Sequence, residues 1–308
     1  MSGIMSGITS GIMSGIMSGL AEFVEICEVG PRDGLQNEKR IVSVDDKVRF
    51  IELLVGAGFR EIEATSFVSP KWVPQLADAE EVLARVPRSA NTVYSALVPN
   101  EKGLERALAC GVGKISVFTA ASEGFARHNI NATIADSIVR FKPVVARAHA
   151  AGVSVRGYVS CVVACPYDGL IAPEAVRATC AQLADIGVDE LDLGDTIGVA
   201  HPDDIERMLR ACTTVRPIGE LVLHLHDTHG RAISCADRAL ALGVRRFDGS
   251  TGGIGGCPYA PGASGNIASE KLVALCAARG YRASIDEVAL GVAARFIAGV
   301  LAGASSDG

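Results

Sequence analysis

The chain has 308 residues, of which 49% are hydrophobic and 21% are charged, so it can bury a large core. Its 29 Lys and Arg residues against 35 Asp and Glu residues give a net charge of −6. This balance argues against a nucleic-acid-binding protein, because such proteins normally carry a basic surplus. No apolar run approaches the roughly 18 residues that a membrane span needs, so no membrane partner is expected.

The N-terminal 20 residues repeat a short MSGI-like unit and contain no charged side chain. They lack the basic region and the continuous apolar region of a secretory signal. Gly and Ser in every unit disfavour both helix and strand. We therefore expect residues 1–20 to form a disordered tail and residues 21–303 to form one globular domain.

From residue 22 onward, short apolar runs alternate with segments of helical periodicity. The apolar runs predict eight strands, over residues 23–29, 61–65, 92–98, 114–119, 154–160, 190–193, 221–226 and 246–250. The periodic segments predict a helix after each strand and one more at the end, over residues 45–57, 75–84, 100–110, 132–150, 173–186, 202–215, 231–242, 268–278 and 285–301. Strands that alternate with helices imply a parallel sheet, and eight such units match a (β/α)8 TIM barrel.

The competing architecture is a doubly wound open sheet, which places a glycine-rich turn against a pyrophosphate directly after its first strand. Here that turn reads GPRDGLQNE (30–38), which lacks the GxGxxG pattern and carries charge instead. The barrel is therefore favoured. In a barrel, the active site is expected at the C-terminal ends of the strands.

Polar residues of catalytic type follow the predicted strand ends. His224 and His226 are two residues apart on the seventh strand, so their side chains point to the same side. With Asp33 after the first strand, they can form a metal site of two histidines and one carboxylate, to which Asn266 can add a ligand. Two hydrogen-bonded core histidines are the simpler interpretation, but Asp33 and Asn266 at further strand ends favour the metal site.

The segment TGGIGGCPYAPGASG (251–265) is rich in glycine and carries a cysteine, Cys257, near its centre. It lacks the Gly-Lys-Ser/Thr of a phosphate-binding loop. We expect a mobile lid over the active site, with Cys257 as a thiol on that lid. A structural cysteine in a loop is the alternative. The nine cysteines of the chain are scattered and include no CxxC pair, which is typical of reduced thiols in a cytoplasmic protein.

Six segments resemble the hydroxymethylglutaryl-CoA lyases, which belong to a metal-dependent barrel family of Claisen-type lyases and synthases. They are EVGPRDGLQNE (28–38), IEATSFVSPKWVPQLAD (62–78), RGYVSC (156–161), LGDTIG (193–198), HLHDTHG (224–230) and GGCPYAPGASGNIASE (255–270). The resemblance implies cleavage of 3-hydroxy-3-methylglutaryl-CoA to acetyl-CoA and acetoacetate with the help of Mg²⁺ or Mn²⁺. It also implies an acyl-CoA substrate, a homodimer, and a place in leucine degradation and ketone-body formation.

The resemblance also implies roles for individual residues. Asp33, His224, His226 and Asn266 match the metal site, and Arg32 matches the residue that meets the thioester oxygen. The remaining matches are Cys257 for proton transfer, Glu28 and Glu63 for support of the site, Ser66 for substrate contact, and the acids Asp195 and Glu270. The expected catalytic set is thus Arg32, Asp33, Glu63, Asp195 and Cys257, and the expected substrate-binding set is Arg32, Ser66, Asp192 and Glu270.

Four residues depart from the family pattern. Asp192 and Gly249 stand where the family usually has Ser, and His229 and Arg231 replace a usual Tyr and Gln. We expect these four residues to affect which acyl group of a substrate the site binds. A lyase for a related substrate such as citramalyl-CoA is therefore an alternative, as is a Claisen-type synthase, although synthases usually add a large C-terminal region. A non-catalytic binding barrel is disfavoured, because no metal-ligand position is lost.

Overall fold

The computed structural model describes residues 22–255 and 265–303. The tail expected over residues 1–20 and the expected lid thiol, Cys257, lie outside the described residues. None of the described helices is long and apolar enough to cross a membrane.

Eight parallel strands of the described chain close into a barrel. They are β1 (Glu25–Glu28), β2 (Glu61–Ser66), β3 (Val93–Leu97), β4 (Lys114–Ala120), β5 (Ser154–Ser160), β6 (Glu190–Asp195), β7 (Leu221–Leu225) and β8 (Arg246–Gly249). The order around the barrel is β1-β8-β7-β6-β5-β4-β3-β2, with β1 paired to both β2 and β8. The predicted (β/α)8 TIM barrel is confirmed.

Ten α-helices of the described residues surround this barrel. They are α1 (Val44–Gly56), α2 (Ala79–Arg85), α3 (Glu101–Ala109), α4 (Glu123–Ile130), α5 (Ile134–Ala150), α6 (Pro173–Asp185), α7 (Pro202–Cys212), α8 (Ala232–Leu242), α9 (Ser269–Ala278) and α10 (Glu287–Ala302). Short 3-10 turns lie at Pro74–Leu76, Ile218–Glu220 and Thr251–Gly253, and Ala164–Cys165 pairs with Gly169–Leu170 in a two-stranded sheet.

The sequence predicts one helix between β4 and β5, whereas the structure has two, α4 and α5. The Ser122 hydroxyl accepts a hydrogen bond from the Phe125 amide at 3.0 Å and so caps the start of α4. Asn131 ends the helix with a left-handed φ of 49°. An eight-residue helix shows little periodicity, so its two caps were the main sequence signal for it.

The apolar core lies between the strands and the surrounding helices. Its largest fully buried side chains include Phe50, Phe59, Phe141 and Phe247. The inside of the barrel is different, because many of its inward side chains are charged. This contrast matters for function, since buried charges must be paired or have a ligand.

A group of five charged side chains fills the barrel near the N-terminal ends of the strands, and we call it the floor cluster. It consists of Glu61, Lys114, Arg156, Glu190 and Arg246. Lys114 Nζ lies 2.6 Å from Glu61 and 2.8 Å from Glu190. Arg156 lies 2.9 Å from each of the same two carboxylates, and Arg246 lies 3.0 Å from Glu190. Every charge in the floor cluster thus has an opposite partner.

Candidate active site

The expected Arg-Asp pair lies on a π-helical turn, Gly30–Gly34, directly after β1. The carbonyl of Val29 accepts a hydrogen bond from the Asp33 amide at 2.7 Å and so closes the turn. Gly30 is needed at its start, because a Cβ there would lie 2.5 Å from Oε1 of Glu28. The turn places both charged side chains at the C-terminal end of the barrel, where they line a cavity.

The two histidines lie at the C-terminal end of β7, with ring centroids 5.2 Å apart. Beyond the glycine-rich segment the chain returns to this strand, and the Ile267 amide donates to the Leu225 carbonyl at 2.9 Å. His226 and Asn266 form an antiparallel bridge next to it. This added pairing brings Asn266 next to His224 and His226, although Asn266 follows His226 by 40 positions in the chain.

Asp33, His224 and His226 form a candidate metal centre, since each offers a ligand atom and these atoms lie within 4.8 Å of one another. Nε2 of His224 is 3.8 Å from Oδ2 of Asp33. The Asn266 side-chain amide donates to the same Asp33 oxygen at 2.9 Å. Nδ1 of His226 is buried and has no hydrogen-bond partner among the described residues. Because buried polar atoms are normally paired, this nitrogen indicates a site for a ligand.

The protonation states of Asp33 and His226 fit a metal site, whereas the acids around His224 favour its charged form in the absence of a cation. Burial would raise the pKa of Asp33, but Arg32 and the two histidines hold it well below its usual range. Burial and the neighbouring His224 lower the pKa of His226 to about 4. Burial also opposes charge on His224, but its hydrogen bond to Asp248 and the nearby Asp33 raise its pKa. A carboxylate and a neutral imidazole are the forms that bind a metal.

Arg32 connects this centre to a second acid. Its guanidinium donates to Oδ1 of Asp33 and to Oε2 of Glu63, both at 2.5 Å. It also lies over the ring of Tyr158, with Cζ 5.4 Å from the ring centroid. The Tyr158 hydroxyl oxygen lies 3.3 Å from the same Glu63 oxygen, which is one of two carboxylate oxygens that can accept its single proton. Arg32 therefore presents a fixed and permanent positive charge beside Asp33.

Sequence reasoning missed two residues of this network, Tyr158 and Asp248. Nδ1 of His224 lies 3.1 Å from Oδ2 of Asp248, and the Tyr158 hydroxyl donates to that oxygen, also at 3.1 Å. A carboxylate behind a ligating histidine fixes which ring nitrogen faces the metal. The signal for both residues was the spacing of two from another polar residue on the same strand, since Tyr158 follows Arg156 and Asp248 follows Arg246 on the same side of the strand.

A cavity of about 650 Å³ opens at this end of the barrel. Its inner wall includes Arg32, Asp33, Tyr158, Thr196, His224 and His226. Trp72, His128 and Arg140 are among the residues that line the rest of it. The volume falls within the range of small-molecule binding sites.

The structure places the other predicted site residues around this cavity in different ways. Glu28 is fully buried beneath the Arg-Asp turn, where Thr251 and Ser269 hydroxyls donate to it at 2.6 and 2.7 Å. The Ser66 hydroxyl accepts a hydrogen bond from the Val68 amide at 3.1 Å. Both residues hold backbone close to the site.

Asp195 and Glu270 also bind backbone amides. Asp195 accepts from Ala200 at 3.0 Å, and Glu270 accepts from Gly252 at 3.0 and 3.1 Å. Glu270 thereby anchors the turn that leads into the glycine-rich segment. Neither acid is among the described residues that line the cavity.

The four departures from the family pattern are likewise not among the described residues that line the cavity. Arg231 donates to the Val199 and Ala200 carbonyls at 2.9 and 3.1 Å, and His229 is exposed. A Cβ at Gly249 would lie 2.6 Å from the Ser269 hydroxyl. Asp192 is fully buried inside the barrel, 3.4 Å from Nη1 of Arg156. A role of these residues in acyl recognition stays a prediction.

A protein-family model described as HMGL-like matches residues 23–297 of the chain. Hydroxymethylglutaryl-CoA lyase of Pseudomonas mevalonii is 49% identical over 263 residues, which are 85% of this chain and 87% of that protein.

Solved structures agree with this match. The crystal structure of the HMG-CoA lyase from Brucella melitensis has a TM-score of 0.90 and 49% identity, and the match covers 92% of this chain and 100% of that one. An HMG-CoA lyase from Acinetobacter baumannii, in complex with coenzyme A and 3-methylmalate, has a TM-score of 0.88 and 35% identity, covering 94% and 95%.

Proposed function

Because this chain belongs to the HMGL-like family, we propose that it is a carbon–carbon lyase that cleaves 3-hydroxy-3-methylglutaryl-CoA to acetyl-CoA and acetoacetate. The observation that carries the proposal is the grouping of Arg32, Asp33, His224 and His226 on the wall of one cavity. This grouping offers a cation site and a fixed guanidinium side by side, which retro-Claisen cleavage requires.

Asp33, His224, His226 and Asn266 would hold a divalent cation, either Mg²⁺ or Mn²⁺. Two imidazoles, one carboxylate and one amide suit several divalent ions. When bound there, the cation supplies Lewis acidity that eases removal of the proton from the C3 hydroxyl.

Arg32 is assigned to the charge that develops during bond cleavage. When the C2–C3 bond breaks, its electron pair stays on C2 and is shared with the thioester oxygen. A guanidinium beside that oxygen stabilises a charge that is absent from the ground state. Glu63 and Asp33 accept from Arg32 at 2.5 Å on separate nitrogens, so the guanidinium cannot rotate away from this position.

Cys257 is assigned to protonation of C2, which completes acetyl-CoA. This assignment rests on the resemblance, since Cys257 lies outside the described residues. The chain approaches the metal centre just before it, because a Cβ on Gly255 would lie 2.8 Å from Nδ2 of Asn266.

The proposal also covers the roles of further residues, the oligomeric state, the pathway and the cellular location. Asp195 and Glu63 support catalysis, and Ser66, Asp192 and Glu270 contribute to substrate binding. The chain forms a homodimer and takes part in leucine degradation and ketone-body formation. A cytoplasmic location is supported by the eight described cysteines, all of which carry free thiols.

The test is an assay of the purified chain against 3-hydroxy-3-methylglutaryl-CoA, citramalyl-CoA and longer 3-hydroxyacyl-CoA thioesters. Turnover is expected to be highest with the first substrate, to disappear after chelation and to return with Mg²⁺ or Mn²⁺. His226→Ala should abolish turnover, whereas His149→Ala should not, because His149 is exposed and pairs with Asp189 at 3.0 Å. Full activity of a metal-stripped His226→Ala variant would contradict the site.

Citramalyl-CoA is the second candidate substrate, because four residues depart from the usual family pattern. Higher kcat/KM for citramalyl-CoA in the same assay would replace the acyl group in the proposal and leave the metal site and Arg32 in place.

A further inference from the structure

Trp72 is a large aromatic side chain that no part of the proposed reaction uses. It is 83% exposed, and it is the single tryptophan of the chain. An exposed apolar side chain needs no explanation on its own. Trp72 differs because it lines the same cavity of about 650 Å³ that the metal centre borders.

Trp72 lies at the open end of this cavity. At the inner end, Arg32 and His224 are only 5% and 8% exposed. Two further lining residues, His128 and Arg140, are exposed like Trp72. A ligand that extends outward from the metal centre therefore meets aromatic rings and a positive charge.

The loop that carries this indole is held from behind by buried side chains. Nζ of Lys47 lies 2.7 and 2.8 Å from the two Asp78 carboxylate oxygens and also donates to the Gln75 carbonyl. The Gln75 side chain accepts from the Val42 amide at 3.0 Å and donates to the Arg40 carbonyl at 2.8 Å. Lys47 and Gln75 are both buried, so water does not compete for these contacts.

The backbone next to the indole is also fixed. The amides of Trp72 and Val73 both donate to the Ser69 carbonyl, at 2.9 and 3.2 Å. The loop is thus ordered before any ligand arrives, while the ring itself stays in contact with solvent. A ligand that covers the ring gains apolar burial and loses little entropy in ordering the loop.

The proposed substrate has the chemistry that this open end would recognise. Its acyl group must lie at the metal centre, so the CoA portion beyond the thioester sulfur extends outward. That portion carries an adenine ring, which stacks on aromatic side chains, and anionic phosphates, which attract a guanidinium.

We propose that Trp72 is a substrate-binding residue whose indole packs against the CoA portion of the acyl-CoA substrate at the open end of the cavity. The inference rests on the proposed function, which supplies the acyl-CoA substrate. The contact does not involve the bond that breaks, so it is equally strong before and during cleavage. It therefore contributes to binding and not to the rate of the chemical step.

The first test uses tryptophan fluorescence, which reports on Trp72 alone because the chain has one tryptophan. Free coenzyme A is titrated into the full chain, and its Kd is measured independently by isothermal titration calorimetry. We expect coenzyme A to quench the emission and shift it to shorter wavelength, as the indole leaves water, with a midpoint at the calorimetric Kd. The free acid 3-hydroxy-3-methylglutarate, which has the acyl group without CoA, should leave the emission unchanged.

The second test uses steady-state kinetics with 3-hydroxy-3-methylglutaryl-CoA. Trp72→Ala should raise KM by about tenfold, as expected for loss of an aromatic contact, and leave kcat within about twofold. Trp72→Phe keeps an aromatic ring and should restore most of the loss. Val288→Ala is the matched control, since Val288 is 80% exposed on α10 and is not among the described residues that line the cavity.

Three outcomes would overturn the inference. Coenzyme A that binds the wild-type chain with unchanged emission, together with a normal KM in Trp72→Ala, would overturn it and leave the proposed function intact. Emission that changes with protein concentration and not with coenzyme A would overturn it in favour of contact between two copies of the chain. A wild-type chain that binds no coenzyme A would overturn the proposed function and the inference together.

Discussion

The barrel buries two groups of charged side chains, and they differ in how completely their charges are paired. In the floor cluster, Lys114, Arg156 and Arg246 meet Glu61 and Glu190 at 2.6 to 3.0 Å. Oε1 of Glu61 in the floor cluster accepts no well-aligned hydrogen bond from the described residues, but Nη2 of Arg156 lies 2.9 Å from it as an ion-pair partner. At the opposite end, Nδ1 of His226 and Oε1 of Glu63 are buried without a hydrogen-bond partner among the described residues.

This difference separates a structural ion-pair network from a functional site. The floor cluster is closed, so a ligand would have to break existing pairs. The metal centre borders a cavity of about 650 Å³. It contains a buried nitrogen of His226 without a hydrogen-bond partner among the described residues, so a ligand can bind there without breaking an existing pair. We therefore expect substitutions at the metal end to affect catalysis most and substitutions in the floor cluster to affect stability most.

The largest expected effect is that of Cys257→Ala. General acid–base catalysis contributes about 10²–10⁴-fold in rate, so kcat should fall by a factor in that range with a smaller change in KM. Steady-state kinetics provides the measurement. Cys110→Ala is the matched control, since Cys110 is only partly buried and lies at the end of α3. Near-normal kcat in Cys257→Ala would reduce this thiol to a structural role.

Next is Arg156→Met, which tests the floor cluster. Removing one member of a buried ion-pair network leaves uncompensated charges and typically costs about 3–5 kcal/mol. The free energy of unfolding from urea titration should fall by that amount. Arg207→Met is the control, because Arg207 is exposed on α7 and should matter much less. Equal stability of the two variants would show that the floor cluster does not stabilise the fold.

Arg32→Gln is the corresponding test beside the metal centre, at the opposite end of the barrel. Loss of a group that stabilises a developing oxyanion costs about 10²–10³-fold in rate. We expect kcat to fall by that factor, with a smaller loss of stability than in Arg156→Met, because Arg32 faces the cavity. Arg60→Gln is the control, since Arg60 stacks on Phe23, with Cζ 4.8 Å from the ring centroid. A larger effect on stability than on kcat would contradict the comparison.

The smallest effect concerns pH and Glu28, beneath the Arg-Asp turn. Burial raises the pKa of Glu28 from 4.5 to about 7, against four hydrogen bonds that lower it. The folded chain therefore holds a proton that the unfolded chain has lost between these pH values. The free energy of unfolding should fall by about 3 kcal/mol as pH rises from 4.5 to 7, with the contribution complete below that window and absent above it.

Glu28→Gln should remove this part of the pH dependence, as measured by melting temperature from pH 4 to 8. Glu174→Gln makes the same change on an exposed side chain of α6 and should leave the slope intact. A slope in Glu28→Gln that matches the wild-type slope would place the pH dependence elsewhere.

Much of the fold follows from local sequence. Each predicted strand overlaps an observed strand. The reason is that a short apolar run followed by a segment of helical periodicity can be recognised from neighbouring residues alone. The sequence prediction missed α4 because this helix is too short to show a clear hydrophobic periodicity. Only its capping residues, Ser122 and Asn131, indicated it. The π-helical turn after β1 was also invisible, because it depends on Gly30 approaching the Glu28 carboxylate.

At the candidate site, sequence alone determined the residue types and the rim on which they meet. His224 and His226 share a face because they are two residues apart on a strand, and Asp33 joins them because parallel strands end together. The tertiary structure decided the partners. Asp248 faces His224, Tyr158 bridges two acids, and Asp192 points into the barrel interior and not into the cavity. These contacts join residues far apart in sequence, and only closure of the barrel sets the distances between strands.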